Sequence, residues 1–306
     1  MRSPLQTVLV AVFPEPVLAA LQADPPPGAV VVPWDSPELT QTAVIDLAVL
    51  DPDASRAELE SVAGRNVRIA QLLSAGFEAA QAALPPAIQL ANAKGVYDPS
   101  VSEWALAAIL AMQRNFPAEW LNQRGHAWVR QVSSSLHGQV VTIVGYGAIG
   151  QAFERFLAPF DVEVLKVDRV VRDGVHPVED LPELARRTTI LVSFLPASQS
   201  TQHLISAEVL ASLPSGALVV NAGRGPVLDT AALEAELWAG RLRAALDVVE
   251  TEPLPQDSTL WDAPGLFLSP HVAGQTDQAW PRRIDLVRRQ IQRLVEGAEP
   301  VNLVLR

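Results

Sequence analysis

Apolar residues in this chain fall into short runs separated by polar, proline- and glycine-containing stretches. Residues 7–12, 30–32, 45–50, 68–73 and 88–91 are too short for helices and rich in valine, isoleucine and leucine, so each predicts a buried strand. Residues 15–22 and 57–64 predict helices between them, and Pro25-Pro26-Pro27-Gly28 ends the first. A second series of strands is predicted at 140–144, 162–167, 190–195, 217–221, 244–248 and 266–268. Helices fall between these strands, at 151–157, 181–186, 206–213 and 230–239. Strands alternating with helices predict parallel sheets with right-handed crossovers, hence an α/β chain of two doubly wound parts.

Three further stretches connect or close these series. Residues 100–114 are apolar nearly all round, which predicts a buried helix. Ser100 and Glu103 have capping-box spacing at its start. Residues 115–138, rich in Trp, Gln, Arg and His, read as an irregular connection. A last helix at 278–296 lies beyond the final strand and is expected to cross back onto the first part.

The strand at 140–144 leads into Gly145-Tyr146-Gly147-Ala148-Ile149-Gly150, and a helix opens after it. The first glycine of such a turn allows a sharp bend. The second lets the backbone approach a pyrophosphate, and the third lets helix and strand pack closely. The helix start offers unpaired N–H groups and a positive dipole end to phosphates. The next strand ends at Asp168, roughly ~20 residues on, where a carboxylate meets the adenosine ribose hydroxyls. Asp168 argues for NAD, because it would repel a 2′-phosphate. Arg169 and Arg172 lie close enough to leave NADP open.

Composition narrows the class. The chain has 306 residues, 49% hydrophobic and 19% charged, which suits two domains with large cores. A net charge of −11 disfavours binding to nucleic acid or an anionic membrane. With no cysteine there are no disulfides, thiol nucleophile or cysteine metal site, and no metal is expected. The apolar run 8–13 is broken by Pro14, Glu15 and Pro16 and reads as a strand, not a signal peptide. No stretch reaches the ~20 apolar residues of a membrane span. A cytoplasmic protein is expected.

Three loops after strands of the second series carry candidate chemistry. Arg224 stands between Gly223 and Gly225, where an open backbone would let its guanidinium grip a carboxylate with two bonds. Asp247, Glu250 and Glu252 crowd one strand end, which is costly without partners. His271 follows an apolar strand and Pro270 directly. The other histidines, His126, His137, His176 and His203, lie in polar or loop contexts. Each feature alone suits a solvated loop or a structural histidine. Three in matching loops favour acid–base chemistry on a carboxylate-bearing substrate. The loop Leu73-Ser74-Ala75-Gly76 in the first part also follows a strand, although alone it reads as an ordinary turn.

With these residues in view, the sequence resembles the D-isomer-specific 2-hydroxyacid dehydrogenases, the family that includes phosphoglycerate, glycerate and formate dehydrogenases. The motifs, in order, are Gly145 to Gly150, Ser193-Phe194-Leu195-Pro196 with Thr201, and Asn221 to Gly225. Ala245-Leu246-Asp247-Val248 through Glu252-Pro253-Leu254 follows, then Ser269 to Gly274. The resemblance implies a hydride transfer between NAD(P)(H) and a 2-keto or D-2-hydroxy acid. Arg224, Glu252 and His271 take the catalytic places. Ser74, Ala75 and Gly76 hold the substrate, together with Arg224 and His271. Gly145, Tyr146, Gly147, Ala148, Ile149, Gly150, Asp168, Arg169, Leu195, Pro196, Ala222 and Asp247 line the cofactor. It also implies a Rossmann domain over 100–274 and a discontinuous, flavodoxin-like substrate domain over 1–99 and 275–306. A homodimer through the 101–114 helix is expected.

Phe77-Glu78 and Phe194 depart from the common pattern and bear on the substrate. No cluster of Arg and Lys in the first part announces a substrate phosphate, which points to glyoxylate, hydroxypyruvate or a similar small acid. The competing reading is a non-catalytic NAD(H)-dependent interaction protein, like the co-repressor relatives of the family. The intact Arg224, Glu252 and His271 set favours the enzyme. Enzymes resembling alanine dehydrogenase or adenosylhomocysteinase rank below both, since the chain has only Lys94 and Lys166 and no cysteine.

Overall fold

The structure is a computed structural model that describes residues 7–304. It divides into two compact units, one of Met1–Tyr97 with Thr276–Arg306 and one of Asp98–Gln275.

The first unit carries β1 (Val8–Val12), α1 (Glu15–Ala23), β2 (Ala29–Pro33), β3 (Ile45–Leu50) and α2 (Arg56–Ala63). β4 (Val67–Leu72), α3 (Glu78–Ala83) and β5 (Gln89–Ala91) follow. Every strand pairing is parallel, in the order β2-β1-β3-β4-β5. This is the flavodoxin-type order of a doubly wound sheet. β3 is buried at all six positions, as a strand covered on both faces must be. Leu59 and Val62 of α2 and Ala80 of α3 pack on one face. Val17, Leu18 and Leu21 of α1 pack on the other. A true capping box starts α2, where Ser55 and Glu58 exchange bonds with each other's backbone amides.

The second unit holds α4 (Asp98–Gln113), α5 (Phe116–Arg124), β6 (Val140–Val144), α6 (Ala148–Leu157) and β7 (Glu163–Val167). It continues with α7 (Leu181–Ala185), β8 (Ile190–Ser193), α8 (Ala207–Ser212), β9 (Leu218–Asn221) and α9 (Thr230–Trp238), then β10 (Arg243–Leu246) and β11 (Leu266–Leu268). Its sheet is again wholly parallel, in the order β11-β10-β9-β8-β6-β7. The order reverses beside β6, the place where open α/β sheets bind ligands. The glycine turn 145–150 follows that strand.

Two expectations need correction here. Residues 115–138 are not wholly irregular, because α5 occupies part of them, with Pro117 in its first turn. That proline is tolerated where the amide has no helical partner. Ser100 does not cap α4, which starts earlier, at Asp98. The helix is apolar over most of its surface, as its sequence predicts, and one side of it is buried. Val101, Ala105, Ala108, Ile109 and Met112 are buried, whereas Glu103 and Ala107 are exposed. Among the described residues no helix is long and apolar enough to cross a membrane.

After the second unit the chain returns to the first as α10 (Ala279–Val295). Its buried positions, Ala279, Arg283, Leu286, Val287, Gln290 and Ile291, recur at helical spacing and form one stripe. Val287 and Ile291 join the core with Val8, Val10 and Val12 of β1. Gln290, fully buried, is satisfied by Gln71 Oε1 at 2.8 Å and by the backbone of Val301. Ile291→Ala deletes fully buried methyl and methylene groups and should cost about 2–5 kcal/mol. Urea unfolding followed by tryptophan fluorescence measures this. A loss under about 0.5 kcal/mol would mean that α10 is not part of that core.

Candidate active site

β9, β10 and β11 lie side by side and run the same way. Neighbouring strands are about 4.8 Å apart, so the loops that follow them emerge as neighbours at one edge of the sheet. Those loops carry Arg224, Glu252 and His271.

The loop after β11 is held by Asp247, a carboxylate only 3% exposed at the end of β10. It accepts the Ser269 hydroxyl at 2.6 Å and the Val272 and Ala273 amides at 2.8 Å each. The His271 amide donates to the Asp247 carbonyl at 2.8 Å. This lattice keeps His271 at φ +55°, a left-handed angle that few residues other than glycine adopt.

His271 Nδ1 lies 2.7 Å from Glu252 Oε2. The other oxygen of Glu252 accepts the Val249 amide at 3.1 Å. Nδ1 is thereby committed, and Nε2 is the ring nitrogen left without a partner among the described residues. A carboxylate on one nitrogen fixes the ring's orientation.

Arg224 sits in the turn after β9. The Asn221 side chain spans that turn, accepting the Gly223 amide at 3.1 Å and donating to the Arg224 carbonyl at 3.0 Å. The guanidinium makes one bond, to the Gly223 carbonyl at 2.8 Å, and keeps its remaining donors. Gly223 and Gly225 are forced by close packing. A Cβ on Gly223 would fall 2.5 Å from the Leu195 carbonyl oxygen, and one on Gly225 would fall 1.9 Å from that of Val249.

The same edge holds a pair that the sequence reading left aside. His203 Nε2 lies 2.6 Å from Glu250 Oε1. That bond raises the imidazole pKa above its ordinary value. Burial pushes the Glu250 carboxyl up, but bonds from His203 and Thr230 outweigh it and hold the carboxyl below the usual range. The signal was present in sequence as three crowded carboxylates in want of partners. Asp247 takes backbone amides, Glu250 takes His203 and Glu252 takes His271.

At the glycine turn, Gly145 adopts φ +93° and a Cβ there would press on Leu195 at 3.1 Å. A Cβ on Gly150 would sit 2.6 Å from the Gly145 carbonyl, so that glycine brings α6 against the strand. Gly147 has nothing within 4 Å and is exposed, with Ala148 and Ile149 half-buried beyond it. This open amide cradle at the start of α6 fits the pyrophosphate of a dinucleotide. Leu195 and Ala222 are buried, and Pro196 is exposed.

Tyr146 hydrogen-bonds Glu154, and Lys166 binds the same carboxylate at 3.0 Å. Burial, followed by that bond, pushes the Tyr146 phenol up to about 12. Arg172 donates to the Tyr146 carbonyl and lies 5.3 Å over its ring. Half-buried Asp168 accepts the Val170 amide at 3.1 Å, while Arg169 is exposed. Phe194 packs edge-on to Phe153 at 5.4 Å.

The remaining candidates belong to the first unit. Ser74, Ala75 and Gly76 follow β4. Their carbonyls are engaged by the Ala93 amide, the Asn92 side chain at 2.8 Å and the Ser74 hydroxyl. The amides of Ala75 and Gly76 find no acceptor among the described residues, so two donors are available to an anion. Tyr97 donates to the Leu73 carbonyl just before this loop and receives a bond from the buried Arg283 at 2.9 Å.

Comparison with known proteins covers most of the chain. Residues 106–273 match the family described as "D-isomer specific 2-hydroxyacid dehydrogenase, NAD binding domain". The glyoxylate reductase of Thermofilum pendens is 32% identical over 259 residues, covering 79% of this chain and 76% of that one. A crystal structure of a D-isomer specific 2-hydroxyacid dehydrogenase family protein from Aeromonas salmonicida superimposes with a TM-score of 0.85. It is 25% identical and covers 98% of this chain and 99% of its own. The NADPH-dependent glyoxylate/hydroxypyruvate reductase of Sinorhizobium meliloti, solved with NADP and sulfate, gives a TM-score of 0.81. That protein is 26% identical and covers 97% of this chain and 98% of its own.

The two kinds of glycine make opposite predictions. Gly225→Ala meets backbone that cannot swing aside, and should lower Tm by more than about 5 °C. Gly147→Ala, which meets nothing, should leave Tm within about 2 °C of wild type. Thermal unfolding followed by circular dichroism checks both, and equal Tm values would contradict the packing described at Gly225.

Proposed function

The chain belongs to the D-isomer specific 2-hydroxyacid dehydrogenase family, and on that premise we propose that it reduces a small 2-keto acid of the glyoxylate or hydroxypyruvate kind, with His271, Glu252 and Arg224 as its catalytic residues. The observation that carries this reading is the 2.7 Å contact between His271 Nδ1 and Glu252. It orients one imidazole with one nitrogen committed and the other available.

The nicotinamide, when bound, supplies the hydride. Protonated His271 gives its Nε2 proton to the ketone oxygen as that oxygen becomes a hydroxyl, and takes it back in the oxidising direction. Glu252 meets Nδ1 and holds the ring still. Arg224 grips the substrate carboxylate with its free donors and draws charge toward the carbonyl oxygen. The Ala75 and Gly76 amides bind the carboxylate in the same reading. The glycine turn takes the pyrophosphate, and Leu195, Pro196, Ala222 and Asp247 are the further cofactor contacts. Asp168 accepts the ribose hydroxyls and favours NAD, with NADP the second choice.

The glyoxylate reductase of Thermofilum pendens and the glyoxylate/hydroxypyruvate reductase of Sinorhizobium meliloti support the substrate class. The first unit serves as the substrate domain and the second as the cofactor domain.

We infer a homodimer as well. The apolar stripe of α4 is buried within its own unit, on α6. Its other side carries the half-buried Trp104, Leu106 and Leu110, and exposed apolar residues follow directly after the helix. Trp120 and Leu121 of α5 are exposed, Trp128 is 97% exposed and Val132 98%. A patch of this kind on one short segment marks an interface, and a second copy of the chain covers it.

His271→Ala should abolish oxidation of NADH by glyoxylate and hydroxypyruvate, followed at about 340 nm, an absorbance that belongs to the cofactor. NADH affinity, read by tryptophan quenching, should stay within about twofold. Lost cofactor binding with turnover intact would remove His271 from the chemistry. Sedimentation velocity should give a dimer, and Trp128→Ser with Val132→Ser should shift it toward monomer. A wild-type monomer would overturn the dimer.

A further inference from the structure

The His203–Glu250 pair has no part in the reaction described above, yet it stands among the same loops. Two other histidine–carboxylate contacts in the second unit are longer, His137 with Asp161 at 3.3 Å and His176 with Asp180 at 3.4 Å. His137 and Asp161 precede β6 and β7 and so lie at the opposite end of the strands. His203 and Glu250 follow β8 and β10, at the end where Arg224, Glu252 and His271 lie.

The surrounding bonds tie three loops together. The His203 amide donates to the Pro226 carbonyl at 2.8 Å, and the Ile205 amide donates to that of Val227 at 3.0 Å. The loop after β8 is thus laid along the loop that carries Arg224. The His203 ring then reaches across to Glu250 in the loop after β10. Thr230, in the first turn of α9, bonds the same carboxylate. Glu250 is two residues from Glu252 and directly follows Val249, whose amide binds Glu252. On its other side, the Val249–Glu250 backbone presses on Gly225 so closely that no Cβ fits. The turn 249–252 is therefore clamped between Gly225 and the His203 ring. Asp229 and Glu250 are the charged groups that face that ring.

We propose that His203 and Glu250 are positioning residues for the reaction: their contact fixes the turn 249–252, so that Glu252 meets His271 and the backbone beside Arg224 is seated. The proposal rests on the catalytic reading of Arg224, Glu252 and His271. It goes beyond that reading by giving two residues outside the set a part in its geometry.

The backbone of His203 provides a clean test. Its φ is +47°, an angle glycine adopts without strain. His203→Gly therefore removes the ring without straining the backbone; the relief offsets part of the lost bond to Glu250, and Tm should stay within about 5 °C of wild type. The purified full chain is assayed with NADH and the better of glyoxylate and hydroxypyruvate, beside Glu250→Gln and His271→Ala. The kcat of His203→Gly should fall about tenfold, the loss expected of a small misplacement in the catalytic set. KM for NADH should stay within about twofold.

A loss confined to kcat, with KM for NADH and Tm held, separates a misplaced catalytic set from a general loss of structure. Glu250→Gln keeps the shape of the side chain and should reproduce the fall of about tenfold in kcat, which decides the matter if His203→Gly folds poorly. Wild-type kcat in both variants, with His271→Ala inactive, would overturn this proposal alone. Full turnover by His271→Ala would overturn the catalytic reading and this proposal with it.

Discussion

The edge that carries Arg224, Glu252 and His271 depends on one buried carboxylate. Asp247 lies almost out of solvent, and its two oxygens are met by one hydroxyl and two backbone amides from the loop after β11. A buried carboxylate without donors costs several kcal/mol, so folding of this edge requires Ser269, Val272 and Ala273 to turn toward β10. That requirement places His271, which stands between them, and imposes its left-handed backbone. The strain is local and is offset by bonds that shorter or straighter loops could not make. Asp247 stands among the residues expected to line the cofactor. In the structure its oxygens hold the histidine loop.

From that anchor the rest follows by neighbouring strands. β10 delivers Asp247 and, a few residues on, Glu250 and Glu252. Three carboxylates at one strand end would repel one another in water and more so when half-buried. Each is matched instead, Asp247 by amides, Glu252 by His271 and Glu250 by His203. The matching draws in the loops after β8, β9 and β11, so an electrostatic problem on one strand organises four loops. Two glycines let the backbones meet as closely as this needs, Gly223 against Leu195 and Gly225 against Val249.

Much of this was legible in the chain. Strands buried on both faces announce themselves as unbroken apolar runs, and β3 and β6 lie at or within a residue of where that pattern put them. The glycine turn, Arg224, Glu252 and His271 stood out because each follows such a run. α5 was missed because its buried side is empty. None of its residues is buried, so it carries no apolar period to read. The start of α4 was misplaced because a capping-box spacing at Ser100 imitates a helix start that the chain does not use. His203 was passed over because its partner is 47 positions away, and its loop has no pattern of its own. Contacts of that range come from the sheet order, which brings the ends of β8 and β10 within two strands of each other.

The same reasoning narrows the choice of cofactor. Two arginines follow Asp168, and in sequence they weigh equally against it. In the structure Arg172 donates to the Tyr146 carbonyl and lies over its ring, where Lys166 approaches as well. Its side chain is exposed and keeps its other donors, and Arg169 is exposed beside it. A 2′-phosphate that recruited either arginine would sit beside Asp168, whose carboxylate is fixed in place by the Val170 amide. A carboxylate held there accepts a pair of ribose hydroxyls and repels a phosphate. We propose NAD as the preferred cofactor on that ground, with Asp168 as the residue that decides it.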